Sequence, residues 1–208
     1  MDATEKATAL AAIAKQINAC NDCGLCAGIT NHVPGEGSAD ADIVFIGEGP
    51  GFYEDQQARP FVGPAGRFLE ELLASIGLRR DQVFITNVVK CRPPNNRDPL
   101  PGEIDACRKY LQRQIDLLQP KVVVSLGRYS LAWFSPRDAI SKVHGQAKVR
   151  DGVYFIPMYH PAAALHAGNM RKVIEEDFRK IPAVLERARA APPEQTAPEP
   201  EPEQMRLF

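Results

Sequence analysis

The sequence lacks the features that mark membrane and secreted proteins. None of its apolar runs approaches the roughly 20 residues that a membrane-spanning helix needs. Its first residues do not show the basic-then-apolar profile of a secretory signal peptide. A strong net charge is also missing, because the formal charge is only −1. We therefore expect a cytoplasmic protein without a membrane partner.

Charge is spread unevenly along the chain. Residues 190–208 hold four glutamates and a single arginine, so the part before them is slightly basic. A slightly basic domain is compatible with nucleic-acid binding without requiring it. The same tail is rich in Ala, Pro, Glu and Gln, and this composition cannot bury enough apolar surface to fold. We therefore predict a folded domain at 1–189 and a disordered, acidic, proline-rich tail at 190–208.

Disulfides are not expected either, because cytosolic thiols are kept reduced. The five cysteines are therefore predicted to be buried or to bind metal. Cys20, Cys23 and Cys26 form a C-x2-C-x2-C run, whereas Cys91 and Cys107 stand alone. A ligand set of Cys20, Cys23, Cys91 and Cys107, with Cys26 as the spare, fits either tetrahedral zinc or a [4Fe–4S] cluster. Spacing alone does not decide between these two.

Short apolar runs alternate with helical patterns along the chain. Four runs predict buried strands, at 42–46, 83–88, 122–126 and 153–158. Five segments predict helices, at 7–19, 65–76, 103–118, 127–134 and 170–189. This alternation predicts an α/β fold, a three-layer α/β/α sandwich with a four-stranded parallel sheet.

Three loops follow predicted strands at their carboxyl ends, where ligands bind in open α/β sheets. The glycine-rich segment 47–51 (GEGPG) follows one strand, Asn87 lies at the end of another, and His160 follows a third. Each feature alone is typical of an ordinary turn. A parallel sheet would bring all three to one edge, and this joint placement favours a functional site.

Four segments of the sequence resemble motifs of the uracil-DNA glycosylase superfamily, and within it of the iron–sulfur-containing family four. These segments are GEGPG at 47–51, RPFVG at 59–63, TNVVKCRPP at 86–94 and HPA at 160–162. The resemblance covers about residues 18–187. It implies the fold of that superfamily and a monofunctional enzyme that excises uracil from DNA in base excision repair. It also implies a [4Fe–4S] cluster held by Cys20, Cys23, Cys91 and Cys107.

The resemblance further implies a role for individual residues. Phe61 would stack on the flipped uracil, and Asn87 would read its N3–H and O4 edge. His160 would donate a hydrogen bond to O2 as negative charge develops there. The backbone of Gly47 and Gly49 would line the pocket around the base.

Two positions depart from the pattern of better-known members of the superfamily. Gly49 stands where those members carry an acidic residue that orients the attacking water. Gly51 stands where they carry a tyrosine that excludes the methyl group of thymine. We therefore expect Glu48 to act on the water, and Glu54 to exclude the methyl group.

Contacts with DNA are expected from the loop after His160 and from nearby cations. Leu165 is the apolar side chain that would fill the gap left by the flipped base, with burial at the start of a helix as the alternative. The cations expected near phosphates are Arg92, Arg97, Arg171 and Lys172.

The last residues of the tail form a separate motif. Gln204, Leu207 and Phe208 resemble the short peptide by which bacterial repair proteins dock on the sliding clamp. The expected partners are therefore uracil-containing DNA and a bacterial sliding clamp. We also expect a monomer, located in the bacterial cytosol or nucleoid.

Two alternative functions compete with uracil excision. One branch of the superfamily traps DNA covalently through a histidine in an inserted loop, and it replaces the segment 91–94 (CRPP). The presence of that segment here argues against this branch. The other alternative is a non-catalytic, metal-dependent nucleic-acid-binding protein. In such a protein the pocket between Asn87 and His160 would be occluded or dispensable.

Overall fold

The computed structural model describes residues 1–150 and 152–190, with only the backbone described for His166. The strands are β1 (Glu36–Gly37), β2 (Ile43–Gly47), β3 (Phe84–Asn87), β4 (Val122–Leu126), β5 (Lys148–Arg150) and β6 (Val153–Met158). They form one sheet in the order β1-β3-β2-β4-β6-β5. The four central strands pair in parallel, which confirms the predicted core of the sheet. The short antiparallel edge strands β1 and β5 were not predicted, because so few residues carry no periodicity.

Nine helices surround the sheet in the described part of the chain. They are α1 (Ala3–Asn18), α2 (Phe52–Gln57), α3 (Pro64–Ser75), α4 (Pro101–Leu118), α5 (Arg128–Phe134), α6 (Ile140–Val143), α7 (Ala163–His166), α8 (Gly168–Phe178) and α9 (Ile181–Ala190). The single helix predicted at 170–189 is wrong, since α8 and α9 are separate. Pro182 has no N–H to bond the carbonyl of Phe178, so a continuous helix would lose that bond. None of these helices combines the length and apolar character needed to cross a membrane.

Alternating side chains of the strands divide the core between two helical layers. On β2, Phe45 faces the layer of α3, α8 and α9, and its ring stacks on Phe178 with centroids 5.8 Å apart. Val44 and Ile46 face the other layer, formed by α4, α5 and α6. α1 packs outside α4, where Ile17 contacts Tyr110. This arrangement confirms the predicted three-layer sandwich.

The carboxyl ends of the central strands meet at one edge of the sheet. Gly47 at the end of β2 pairs in register with Asn87 at the end of β3. The N–H of Gly127, just after β4, donates to the carbonyl of Met158 at the end of β6, over 2.8 Å. His160 follows two residues later. The fold therefore brings the three predicted loops together.

Candidate active site

A cleft of about 510 Å³ opens at the carboxyl ends of the parallel strands. Its lining comes from the GEGPG loop, the start of α2, the RPFVG segment at 59–63 (the Phe61 segment), the end of β3, and the loops after β3 and β6. The residues that were predicted for the site and that line this cleft are Glu48, Gly49, Glu54, Phe61, Asn87, Arg97, His160 and Leu165. The structure therefore brings these residues into one cavity, whereas Gly47, which was also expected around the base, is not among the residues that line it.

Asn87 is the most deeply placed polar side chain of the cleft, with an exposed fraction of 1%. Its Oδ1 has no hydrogen-bond partner among the described residues. A Cβ atom on Gly47 would lie 2.6 Å from Cζ of Phe61 and would also collide with Asn87 Oδ1, so glycine is needed there. Leaving a buried acceptor unpaired costs about 1–3 kcal/mol. The amide is therefore available for a donor that enters the cleft.

The ring of His160 has a defined hydrogen-bonding state. The N–H of Ala162 donates to Nδ1 over 3.1 Å, so the proton of a neutral ring lies on Nε2. Burial lowers the pKa of His160 to about 4, although the carboxylate of Glu54 acts in the opposite direction. The ring stacks beside Phe61 with centroids 5.4 Å apart. At neutral pH, His160 is therefore an uncharged imidazole with one N–H available as a donor.

Glu48 is the acidic residue of the cleft whose ionisation is most changed by its surroundings. Burial raises the pKa of this carboxyl group to about 7. The negative charge of Asp98 acts in the same direction, whereas Arg128 opposes it. A carboxyl group with a pKa close to neutrality can take up a proton during a reaction at that pH. Glu48 therefore has the properties of a general base.

Glu54 joins two of the motif segments through backbone hydrogen bonds. Its Oε1 accepts from the N–H groups of Val62 and Gly63, over 2.9 and 2.8 Å. Its Oε2 accepts from the N–H of Gly51 over 3.1 Å. One carboxylate therefore fixes the GEGPG loop against the Phe61 segment. This positioning role was not foreseen, and the expected exclusion of a methyl group by Glu54 stays a prediction.

The backbone at Phe61 adopts the left-handed conformation, with φ of 53°, which costs energy for a residue with a side chain. Arg80 holds it in place: Nη1 donates to the carbonyl of Phe61 over 2.9 Å, and Nη2 donates to the carbonyl of Pro60. Gly66 lets α3 approach, because a Cβ atom there would collide with the Phe61 carbonyl. Sequence reasoning missed Arg80, since the two backbone carbonyls that it binds lie 19 and 20 residues away in sequence.

Leu165 lies on α7 and lines the cleft with an exposed fraction of 50%. That exposure contradicts the alternative in which Leu165 is buried in the core. Its role as a wedge in DNA stays a prediction.

The four predicted DNA-contacting cations are placed differently. Arg97 lines the cleft and forms a two-pronged ion pair with Glu103, with contacts of 2.7 and 2.9 Å. Arg92 lies over the ring of Phe52, which also lines the cleft. Arg171 and Lys172 are not brought to the cleft. Arg171 instead pairs with two carboxylates on the α3 and α8 surfaces.

The five thiols lie in one region of the fold, because the other four all interact electrostatically with Cys91. Cys91 and Cys107 are buried, and Cys20, Cys23 and Cys26 are partly buried. In the described part of the chain, one group of ligand atoms that could hold a metal ion differs from the predicted set. Sulfur atoms of Cys26 and Cys91 and a ring nitrogen of His32 lie within 4.8 Å of one another. Sequence reasoning missed His32, because a lone histidine in a loop carries no spacing signal.

The chemistry of these donors is compatible with a metal site. Burial raises the pKa of the Cys91 and Cys107 thiols, so thiolates here need a nearby positive charge. The N–H of Lys90 donates to Cys107 Sγ over 3.4 Å, which favours a thiolate at that position. Thiolates are ligands for zinc and for iron–sulfur clusters alike.

A closed polar network lies between the thiols and the cleft. The fully buried ammonium group of Lys90 donates to Thr86 Oγ1 over 2.6 Å, to the Asn87 carbonyl over 2.7 Å and to Gln114 Oε1 over 2.8 Å. Both Thr86 and Gln114 donate further to the carbonyl of Pro34. Burial lowers the pKa of Lys90 to about 7. The network was not predicted, since a lysine is rarely buried.

Comparison with known proteins agrees with this geometry. Residues 34–181 match the family model described as the uracil DNA glycosylase superfamily. That match spans the sheet and all the residues that line the cleft. The chain therefore belongs to the uracil DNA glycosylase superfamily.

Similar proteins point to one branch of that superfamily. The chain is 49% identical to the Type-4 uracil-DNA glycosylase of Sulfurisphaera tokodaii, over 87% of this chain and 84% of the relative. It is 48% identical to the Type-4 enzyme of Archaeoglobus fulgidus, over 81% and 89% of the two chains. The Type-4 enzyme of Thermotoga maritima is 42% identical over 84% and 94%. These matches confirm the resemblance to family four.

Proposed function

We propose that this protein is a monofunctional uracil-DNA glycosylase that flips uracil out of DNA and hydrolyses its N-glycosidic bond. The observation that carries the proposal is the unpaired, buried Oδ1 of Asn87 in a cleft whose lining residues all lie within the superfamily match. The similarity of the chain to Type-4 uracil-DNA glycosylases supports the same substrate. The product would be an abasic site, as the first step of base excision repair.

Base recognition would depend on Asn87, Phe61 and the neighbouring glycines. The amide oxygen of Asn87 would accept from N3–H of uracil, and its NH₂ group would donate to O4. Cytosine presents the opposite pattern at that edge, so it would leave these groups unpaired. Phe61 would stack on the flipped ring, and the backbone of Gly47 and Gly49 would surround it.

The hydrolysis would use His160 and Glu48. As the bond between N1 and C1′ breaks, its electron pair moves onto uracil, and negative charge gathers on O2. The Nε2–H of His160 would donate to this oxygen, a contribution commonly worth about 10²–10³ in rate. Water would form the new bond to C1′, and its proton would pass to Glu48. Uracil leaves as an anion and takes a proton from solvent.

Binding of DNA would involve the exposed groups around the cleft. Leu165 would fill the gap in the duplex, which its 50% exposure and its place in the cleft support. Arg92 and Arg97 would lie near phosphates, while Arg171 and Lys172 would contact DNA only beyond the cleft.

The thiol region would hold a [4Fe–4S] cluster on Cys20, Cys23, Cys91 and Cys107. Such a cluster supplies a covalent link between distant parts of the chain, and base excision requires no electron from it. The chain's own contribution is to place Cys91 four residues after Asn87 on the same segment. The N–H of Lys90 would stabilise the Cys107 thiolate.

The tail and the assembly state complete the proposal. Residues 1–189 would be the glycosylase domain, and 190–208 a tether whose Gln204, Leu207 and Phe208 bind a bacterial sliding clamp. These three residues lie outside the described part of the chain. Deleting 204–208 should abolish capture by the clamp and leave excision from short oligonucleotides unchanged. The enzyme would act as a monomer in the bacterial cytosol.

The test is cleavage of a labelled oligonucleotide that contains a single uracil. Anaerobically purified protein is incubated with it, and alkali then breaks the strand at abasic sites. Cleavage at uracil, with none in matched thymine and cytosine oligonucleotides, is the expected result. A His160→Ala variant should bind the DNA normally and lose excision. Absence of cleavage by protein with an intact cluster would favour a non-catalytic DNA-binding protein.

A further inference from the structure

Two aromatic side chains at the cleft are half exposed and are not part of the hydrophobic core. Phe52 and Tyr53 begin α2, directly after the GEGPG loop, and both line the cleft. They are 50% and 52% exposed, whereas large aromatic side chains commonly contribute their area to the core. Their rings meet edge to face, with centroids 5.6 Å apart. The pair therefore presents flat apolar surface to solvent beside the site.

This aromatic pair is held in place from several sides. The ring of Tyr53 packs against Gly63, where a Cβ atom would lie 3.1 Å from Tyr53 Cδ2. The guanidinium group of Arg92 lies over Phe52, 5.1 Å from the ring centroid. Asp55, one turn into α2, is buried and accepts backbone N–H groups from the segment before β1. The aromatic surface is therefore preorganised.

We propose that Phe52 and Tyr53 form a stacking platform for the base that adjoins the flipped uracil on the same DNA strand. The inference rests on the proposed function, since the uracil itself must occupy the cleft. Flipping removes the stacking partner of each neighbouring base. Aromatic rings beside a cation are the chemistry that binds unpaired bases without regard to sequence. Because Phe52, Tyr53 and Asn87 line one continuous cleft, the occupant is the strand that carries the uracil.

The platform has a consequence for the choice of substrate. A base in single-stranded DNA reaches the rings without the loss of its pairing partner. A base in a duplex must first unpair, which costs energy. The platform therefore increases activity on single-stranded DNA more than on duplex DNA.

Kinetics of substituted enzymes provide the first test. Stacking of one base on an aromatic side chain is worth about 1–3 kcal/mol, so Phe52→Ala with Tyr53→Ala should lower kcat/KM on single-stranded uracil DNA about ten- to one-hundred-fold. Most of the change should be in KM, with a smaller loss on duplex DNA. A variant with leucine at both positions keeps apolar area but has no flat face, so its kcat/KM should fall nearly as much. Full activity of the leucine variant would overturn stacking.

Controls separate the platform from the pocket. Inhibition by free uracil should be unchanged in the double variant, because the free base does not reach the platform. Leu100→Ala removes an apolar side chain that is 54% exposed and does not line the cleft, so it should leave kcat/KM unchanged. Equal losses in Leu100→Ala, or loss of inhibition by free uracil, would overturn the assignment.

Fluorescence provides a direct test that needs no turnover. A single-stranded oligonucleotide carries 2-aminopurine next to a uracil whose 2′-fluoro sugar resists cleavage. The wild-type protein should quench 2-aminopurine by stacking, and the double alanine variant should leave it bright. Equal fluorescence in both proteins would overturn the platform and leave the proposed function intact. If the wild-type protein failed to cleave ordinary uracil DNA, the proposed function would fail instead.

Discussion

Asn87 and Lys90 lie three residues apart on one segment, yet their buried polar groups differ in hydrogen bonding: that of Lys90 is paired and Oδ1 of Asn87 is not. The ammonium group of Lys90 has three acceptors within 2.8 Å. The Oδ1 of Asn87 has no partner among the described residues. Since an unpaired buried acceptor destabilises the fold, its retention points to a ligand, whereas complete pairing points to a structural role.

Asn87 itself connects the two regions. Its side chain lines the cleft, and its backbone carbonyl accepts from Lys90 over 2.7 Å. The paired network therefore fixes the backbone from which the unpaired amide projects. Substitution of Asn87 should therefore affect mainly catalysis, and substitution of Lys90 mainly stability.

The largest effect is expected from Asn87→Ala. Excision of uracil should fall about 10²–10³-fold, because a group that binds the base and orients it is lost. Stability should be unchanged or slightly higher, since no hydrogen bond of the Asn87 side-chain oxygen is broken. Measurements of kcat/KM and of the urea unfolding midpoint test both statements. Loss of stability in parallel with activity would show that the amide is structural.

An Asn87→Asp variant serves as the matched control, because it keeps the shape of the side chain. A carboxylate cannot donate to O4, so activity on uracil should be lost here as well. Intact uracil cleavage by this variant would refute the reading of the base edge by Asn87.

A second effect is expected in the pH dependence of the reaction. Burial raises the pKa of Glu48 to about 7, so the basic form and kcat/KM should both increase as pH rises through 7. Glu48→Gln should lower the rate about 10²-fold and flatten the profile. Asp98→Asn should move the midpoint to lower pH, because Asp98 contributes to the raised pKa. His160, with a pKa of about 4, should not titrate in this range.

The same carboxyl group makes a prediction about stability. Its pKa is raised from 4.5 to about 7 in the folded protein, so folding favours the protonated form. The contribution of Glu48 to stability should therefore fall as pH rises from 4.5 to 7. Glu48→Gln should remove that fall, as measured by urea unfolding at several pH values. An unchanged pH profile would contradict the burial of an ionisable group at this site.

A smaller effect is expected from Lys90→Met, and it should be seen mainly in stability. Three buried acceptors would lose their donor, so unfolding should require about 1–3 kcal/mol less. Activity should fall less than in Asn87→Ala, because the amide remains and only its support is weakened. Lys15→Met, on an exposed lysine of α1, provides the control and should change neither property. Equal stability of Lys90→Met and wild type would contradict the structural role of the network.

The two regions also differ in how far the sequence predicts them. Strand alternation and the family motifs located the central sheet and the residues that line the cleft, because both depend on short local patterns. The contacts of Glu54, Arg80 and Lys90 were not predicted. Each of these side chains bonds to backbone atoms or side chains of segments that only the folded chain brings near. Local propensity carries no information about such partners.

The smallest effect is expected from Cys26→Ser, among the thiols that adjoin the Lys90 network. The Sγ atom of Cys26 donates to the Cys23 carbonyl over 3.0 Å and lies near Cys91 and His32. If the cluster uses Cys20, Cys23, Cys91 and Cys107, this variant should keep its iron and its visible absorption, with a stability change within about 0.5 kcal/mol. Cys20→Ser, the matched control, should lose the cluster. The reverse result would place Cys26 in the ligand set instead of Cys20, consistent with Cys26 Sγ lying within 4.8 Å of Cys91 Sγ.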